Sequence, residues 1–289
     1  MRPNHHQFAA FAYVVREGSF SAAAARLGVT QSTVTQHVAN LEAQVGSQLL
    51  IRGRDGVSTT RTGQEFFELA DRLVALDTTI AERLQGFAQM HQGHLKIIAN
   101  APQPALRIIR DFGDRYPQVQ VDFGLHDWTT ATAMIRDRRA DVGLITDPPV
   151  SQDWEMHKLQ SARYVLYVRS DDPLAGQARV SLRDLSGYRL ILPEKGSLTT
   201  RVVSRKLSEL ELSFDRMIRM TTFPVMCEAV QQGIGAAIFL NDSHEGRQGL
   251  AQLSIEELDM DFETWLVATK DRVNLRLIRA FFELATARY

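Results

Sequence analysis

Residues 18–52 read GSFSAAAARLGVTQSTVTQHVANLEAQVGSQLLIR. Upstream of Gly18, the apolar residues Phe8, Phe11, Ala12, Val14 and Val15 recur at helical spacing, so residues 7–17 form an amphipathic helix that Gly18 stops. Ser19 or Ser21 then caps a short Ala-rich helix, 22–27, whose small side chains permit close packing against a crossing helix. Gly28 ends it, and Thr30 is placed to cap a third helix from Gln31 onward. In that helix Val34, Val38, Leu41 and Val45 share one face, while Gln31, Ser32, Thr33, Thr35 and Gln36 crowd the opposite, N-terminal part. Helix, Gly-containing turn, helix is the arrangement that presents the N-terminal side chains of its second helix to a DNA major groove. Gln, Ser and Thr suit that place, because they hydrogen-bond base edges or phosphates without a charge to desolvate. Periodicity alone equally allows a polar outer face on an ordinary three-helix module.

The next residues separate the two readings. Leu49, Leu50 and Ile51 have strand character, Asp55-Gly56 is a turn signal, and residues 58–60 return as a second strand. A β-hairpin carrying Arg52, Arg54 and Arg61 directly after the third helix is a wing able to lie along a phosphate backbone. The combination is more specific than either half.

On these residues the chain resembles the LysR-type transcriptional regulators. The matching positions are Phe11, Gly18-Ser19-Phe20, Ala23-Ala24, Leu27, Gln31-Ser32, Val34-Thr35, Leu41-Glu42, Gly46, Leu49, Arg52 and Gly63, in order and without a gap. Departures are Leu50 where Phe is usual, Thr35 where Ser is commoner, and Thr59 and Thr62 where Leu and Ala are usual. The resemblance implies that Gln31, Ser32, Thr33, Thr35 and Gln36 approach double-stranded DNA, with Arg52 and Arg54 on phosphates. Ser21, at the start of the preceding helix, is a further candidate.

Residues 65–90 contain no Pro and one Gly, and Phe66, Leu69, Leu73, Leu76, Ile80, Leu84 and Phe87 approach the alternating three-and-four spacing of a coiled-coil seam. Such a stripe is hard to bury on one small winged domain and predicts dimerisation; the acidic residues of this helix are expected to be solvated. In the resembling family this segment, 65–92, is the linker helix that pairs two DNA-binding domains (1–64), so that a homodimer or homotetramer reads an inverted-repeat promoter site.

Charge is distributed to match. The 289-residue chain has 33 Lys plus Arg against 34 Asp plus Glu, a net −1 that at face value disfavours nucleic acid. Residues 1–64 hold six Arg (2, 16, 26, 52, 54, 61) and three acids (17, 42, 55), giving +3; residues 65–93 hold two Arg (72, 83) and five acids (65, 68, 71, 77, 82), giving −3. The hydrophobic fraction of 44% supports folded cores. A single cysteine, Cys227, excludes an internal disulfide framework or a Cys-based zinc cluster and fits a reducing cytoplasm; on an apolar helix face it reads as a buried small hydrophobe. The start lacks the features of a signal peptide, and no apolar run approaches a membrane span.

From Gly93 strands and helices alternate, as in an α/β sheet with parallel strands. Two such units, with crossings near Arg163 and Val267, make a hinged clamshell similar to type 2 periplasmic binding proteins: lobe I at about 93–162 and 267–289, lobe II at about 163–266. The overall expectation is therefore an α+β multidomain chain: winged helix-turn-helix, linker helix, two-lobed α/β effector-binding domain. The family has this clamshell as its effector domain, and Tyr116-Pro117, Asp141-Val142-Gly143-Leu144-Ile145, Asp172-Pro173-Leu174, Leu182, Asp184-Leu185 and Gly233-Ile234-Gly235-Ala236-Ala237 match it in order.

Ligands of open α/β folds sit at strand C-termini and helix N-termini, where free N–H groups favour anions. Candidate effector contacts are Asn100, Ala101, Pro102, Thr129, Thr146, Gly196, Ser197, Thr199, Thr222 and Phe223. Gly196-Ser197-Leu198-Thr199-Thr200, beside Lys195 and Arg201, suits a carboxylate or phosphonate, while Asp147 and Glu194 allow an amine as well, so the effector is expected to be anionic or zwitterionic. Ordinary helix capping accounts for any one of these residues taken alone.

Catalytic chemistry is missing. No nucleophile elbow, Walker loop or His-Glu-x-x-His occurs, Gly233-x-Gly235 lacks a third glycine, and His91-x-x-His94 has neither Cys nor carboxylate company, so neither cofactor nor metal is expected. The expected function is a cytoplasmic, non-enzymatic DNA-binding regulator modulated by a small effector between two lobes, with RNA polymerase as a further partner. The competing reading is a cytoplasmic small-solute-binding protein without a regulatory role.

Overall fold

The computed structural model describes residues 3–53, 56–84, 93–214, 216–243 and 249–289. The first helix, α1 (His5–Glu17), starts on a reciprocal cap: Asn4 Oδ1 accepts the Gln7 N–H at 3.1 Å, and Gln7 Oε1 accepts the Asn4 N–H at 2.8 Å. Helix α2 (Phe20–Leu27) is capped by Ser19, leaving Ser21 inside its first turn, and α3 (Gln31–Val45) is capped by Thr30. Gly18, Gly28 and Gly46 end the three helices in the left-handed region, at φ +64°, +65° and +74°. Phe11, Val14, Ala23, Val34, Val38 and Leu41 close the core between them.

The hairpin follows as β1 (Leu50–Gly53) and β2 (Gly56–Thr59), antiparallel, with Arg52 opposite Val57. The first strand begins one residue later than expected because Glu42 Oε1 takes the N–H groups of Leu49 and Leu50, at 2.8 and 3.1 Å, anchoring the chain to the end of α3. The long helix α4 (Arg61–Leu84) begins before residue 65 and so belongs partly to the winged domain. Gly63 permits this, since a Cβ there would lie 1.9 Å from the Leu49 carbonyl oxygen. The expected turn residues Arg54 and Asp55, and Phe87 and His91, lie outside the described residues.

After α4 come β3 (Gly93–Ala99), α5 (Ala105–Arg115), β4 (Val119–Leu125), α6 (Trp128–Arg136), β5 (Val142–Thr146) and β6 (Trp154–Ala162). The chain then crosses into β7 (Tyr164–Arg169), β8 (Arg179–Val180), β9 (Leu190–Leu192), α7 (Leu198–Glu209), β10 (Met217–Arg219), α8 (Phe223–Gln231), β11 (Ala236–Leu240) and β12 (Leu250–Ile255). It returns through β13 (Phe262–Thr269) to α9 (Arg276–Arg288). Lobe I is a five-stranded sheet in the order β4-β3-β5-β13-β6, and lobe II a six-stranded one, β10-β9-β11-β7-β12-β8.

Two expectations are corrected here. The return crossing precedes Phe262, not Val267, because β13 pairs along its whole length with β6, from Phe262 opposite Ala162 to Thr269 opposite Trp154. Lobe II therefore ends about five residues earlier than 266. Nor are the sheets purely parallel: β3 runs parallel to β4 and β5, but β13 is antiparallel to β5 and β6, and β7 to β11 and β12. Cys227 is buried on α8, as its apolar surroundings implied.

Candidate nucleic-acid interface and interlobe cleft

The N-terminal end of α3 is the outward face of the winged domain. Gln31, Ser32 and Gln36 are exposed there, and Thr33 and Thr35 are half-buried. Their polar groups are partly held by neighbours. Thr30 Oγ1 lies 2.8 Å from both the Ser32 and Thr33 hydroxyls, Thr35 donates to the Gln31 carbonyl at 2.9 Å, and Gln36 donates to Asn40 at 2.8 Å. These bonds fix side-chain orientation while each hydroxyl keeps an acceptor lone pair. Ser21 is exposed on α2 and hydrogen-bonded to Ser19 at 2.9 Å.

Arg52, exposed on β1, stacks its guanidinium over the Phe20 ring at 4.4 Å. That contact steers an otherwise mobile arginine towards the α2–α3 side of the wing. Two exposed residues absent from the expected set share this region: Val29 in the turn, 43% exposed, and Asn40 one turn beyond Gln36. A valine in the turn reads as core by composition alone, so only the fold places it outside. Arg54 lies outside the described residues.

Between the lobes, the loops at the C-terminal ends of β3, β4 and β5 meet the loop after β9. Thr129 donates to the Gly196 carbonyl through both its backbone N–H and its hydroxyl, each at 3.2 Å. Gly196 has no room for a side chain, since a Cβ would fall 2.1 Å from Asp127 Oδ1. Asn100 Oδ1 receives the Thr146 N–H at 2.9 Å, and the buried Thr146 hydroxyl lies 2.9 Å from that of Thr264. Ser197 caps α7 through the Thr200 N–H at 3.1 Å, which leaves the N–H groups of Leu198 and Thr199 without an intrahelical partner. Ala101 and Thr199 are buried, Pro102 is half-buried, and burial pushes the pKa of the nearby Tyr164 hydroxyl upward. Thr222 and Phe223 start α8; Thr222 is exposed without a capping bond, and Phe223 packs towards Phe239 at 5.4 Å.

Trp128, which directly precedes the candidate Thr129 but was not itself among the candidate contacts, ties the lobes together. Its ring packs against the cores of both lobes, Arg201 stacks over it at 4.1 Å, and its indole N–H donates to the Thr146 and Asp147 carbonyls at 3.0 and 3.1 Å. The latter bonds hold Asp147 in the left-handed region at φ +51°, an uncommon state for a residue with a side chain. Its only sequence signal is its place after a strand, beside the capping Asp127. Among the described residues no group of three or more His, Cys, Asp or Glu could hold a metal ion, and no helix is long and apolar enough to cross a membrane.

A winged helix-turn-helix joined by a long helix to a hinged, two-lobed α/β domain defines a one-component regulator architecture. The chain matches the model for "Bacterial regulatory helix-turn-helix protein, lysR family" over residues 5–64 and that for "LysR substrate binding domain" over 88–289. It belongs to the LysR family of transcriptional regulators. It is 30% identical over 244 residues to the probable HTH-type transcriptional regulator LrrA of Synechococcus elongatus, covering 81% of this chain and 80% of that one. It is 27% identical to the HTH-type transcriptional regulator CbbR of Rhizobium meliloti, covering 96% and 91%. Its fold is similar to full-length OxyR from Pseudomonas aeruginosa, with a TM-score of 0.79 at 19% identity, covering 100% of this chain and 95% of that one. It is also similar to full-length CbnR complexed with its target DNA, with a TM-score of 0.52 at 19% identity, covering 98% and 99%.

Proposed function

We propose that this chain is a non-enzymatic, ligand-responsive transcriptional regulator that binds an inverted-repeat promoter site as a dimer or a pair of dimers. Gln31, Ser32 and Gln36 reach base edges, with Thr33, Thr35 and Ser21 at their margin and Arg52 on the phosphate backbone. The observation that carries this reading is the exposed polar N-terminus of α3 beside the outward, Phe20-stacked Arg52. Dimerisation is supported by Leu69, Leu73, Leu76 and Ile80, which are 66, 41, 59 and 49% exposed along one side of α4 while Phe67, Ala70 and Val74 pack into the winged core. The exposed four keep the three-and-four spacing of a coiled-coil seam.

The effector is a small anion or zwitterion held where Thr129, Trp128 and Asp127 meet the start of α7. Support comes from the α7 N-terminus, Arg201 and Lys195 on one side and carboxylates Asp147 and Glu194 on the other. Its binding changes the population of closed and open lobes and so the spacing of the paired DNA-binding domains. Among proteins of similar fold, CbnR has been solved with its target DNA, OxyR of Corynebacterium glutamicum with H2O2 and the CcmR regulatory domain of Synechocystis with 2-PG. A thermal-shift screen of small carboxylates, phosphonates and amino acids, followed by gel-shift titration with each hit, tests the reading. A hit that raises the melting temperature and changes the DNA complex is expected. Hits that act identically on a Gly196→Gln variant would place the site elsewhere.

A further inference from the structure

Asp71 is an acid on the solvent-rich side of the sequence pattern of α4, yet its side chain is completely buried. Its two oxygens point to two different parts of the protein. Oδ1 pairs with Arg16 of α1, within the winged domain, and Oδ2 lies 3.7 Å from Arg138 Nη1, in lobe I. Arg138 is itself only 6% exposed, sits just past α6 in the left-handed region at φ +55°, and is held by Asp271 at 2.7 Å. Beside it the equally buried Arg272 pairs with Asp141, which also accepts the Lys96 N–H at 2.8 Å. Burial works against charge on Arg272, but Asp141, Asp71 and Asp271 outweigh it and hold its pKa above the usual arginine value. One of the three acids responsible therefore belongs to the other domain. Between the two sides remains a polar hollow of about 30 Å³, the size of a single water, bordered by Tyr13 and Arg26 of the winged domain and by Lys96 and Arg139 of lobe I.

We propose that lobe I carries a docking surface for the chain's own DNA-binding domain, an ionic latch in which Arg138 and Arg272, braced by Asp271 and Asp141, receive the Asp71–Arg16 pair. Asp71 supplies the opposite charge to Arg138 and Arg272 across the contact, while burial and the like charge of Arg272 lower the pKa of Arg16, so a buried arrangement of this kind is better suited to fixing geometry than to adding stability. The latch does not compete with dimerisation. At 3.6 residues per turn Asp71 lies about 200° around α4 from Leu69, so the apolar stripe faces away from lobe I. The placement of α6 gives the latch a role: the helix begins at Trp128 in the cleft and ends two residues before Arg138, and β5 runs from beside Asp141 back to Thr146. A movement of the cleft loops is thereby delivered to the surface that holds the DNA-binding domain. That last consequence rests on the effector reading above; the docking itself does not.

The test uses the full-length chain with no effector. Gln44→Cys in the winged domain and Gln118→Cys in lobe I, both exposed, are spin-labelled in a Cys227→Ala background and diluted with unlabelled chains, so that only intrachain distances report. The expected result is one narrow distance distribution, at least twofold broader after Arg138→Ala combined with Arg272→Ala and unchanged after Arg136→Ala, whose side chain is exposed and pairs locally with Asp137. If the double variant lacks a cooperative melting transition, Asp71→Asn, which preserves size, is measured in its place with the same expectation. A broad distribution in the parent chain, or a narrow one surviving loss of the latch charges, overturns the proposal. Because no ligand is present, a failure of the effector screen leaves this result unaffected.

Discussion

Replacing Arg52 with alanine separates backbone attraction from base reading. Arg52 is exposed and held over Phe20 at 4.4 Å, so its loss removes one phosphate contact per subunit and a stack worth about 0.5–1 kcal/mol at an exposed site. Each phosphate neutralised contributes about −0.9 to the slope of log affinity against log salt, so a dimer that loses two should show a slope shallower by about 1.8. Across a fourfold rise in salt, from about 50 to about 200 mM, the parent should then lose roughly tenfold more affinity than the variant. Fluorescence anisotropy with specific and scrambled duplexes measures both slopes, and thermal unfolding registers the small loss of the stack. Gln31→Ala is the counterpart: its slope should be unchanged, while discrimination falls by about 1–3 kcal/mol for each base contact removed. An Arg52→Ala protein with the parental slope but weaker discrimination would refute the assignment of wing and helix.

Other perturbations follow from the packing and the buried charges. Leu73→Glu places a charge in the exposed stripe of α4 and should shift sedimentation from dimer to monomer at micromolar concentration; an unchanged dimer would mean that association runs through another face. Gly63→Ala sets a Cβ where only 1.9 Å separates it from the Leu49 oxygen, so the start of α4 must move, at a cost of about 1–3 kcal/mol in unfolding free energy. A melting temperature equal to the parent's would show that α4 does not approach Leu49 so closely. Burial works against charge on Asp271, but Arg138, through its hydrogen bond and charge, outweighs it and holds the carboxyl below the usual range. A depressed native pKa contributes stability above the unfolded value of about 3.9 and loses it as the pH falls through the native value. The stability gap between the parent and Asp271→Asn should accordingly be constant above about pH 5 and shrink below about pH 4; a gap that persists into acid would contradict the pairing.

The winged domain was legible because its signals are local. Gly18, Gly28 and Gly46 each stop a helix at a positive φ, the apolar spacing in α1 and α3 is regular, and Ser19 and Thr30 cap within three residues of what they cap. Even the small shift of β1 has a local cause, the hold of Glu42 on Leu49 and Leu50. In the two lobes the decisive pairings are distant in the chain. That β13 lies between β5 and β6 depends on register across more than a hundred residues, and β6 has too many half-exposed polar side chains to announce a strand. The packing roles of Trp128 and Asp71 were illegible for the same reason. A tryptophan after a strand and an acid on an amphipathic helix acquire their roles only from a second body packed against them, and nothing in their own neighbourhood encodes that body. Asp71 in particular defeats the rule that acids on such a helix are solvated, whereas Glu65, Glu68 and Asp77 obey it.

The central claim is that two copies of α3, joined through α4, read two half-sites. Nuclease footprinting of the purified full-length protein on the DNA upstream of its own coding region tests it most directly. The account predicts two protected half-sites related by a dyad, with centres one or more helical turns of about 10 bp apart, both lost together in Leu73→Glu. A single protected half-site retained by the monomeric variant, or no sequence-specific protection at low salt, would contradict it.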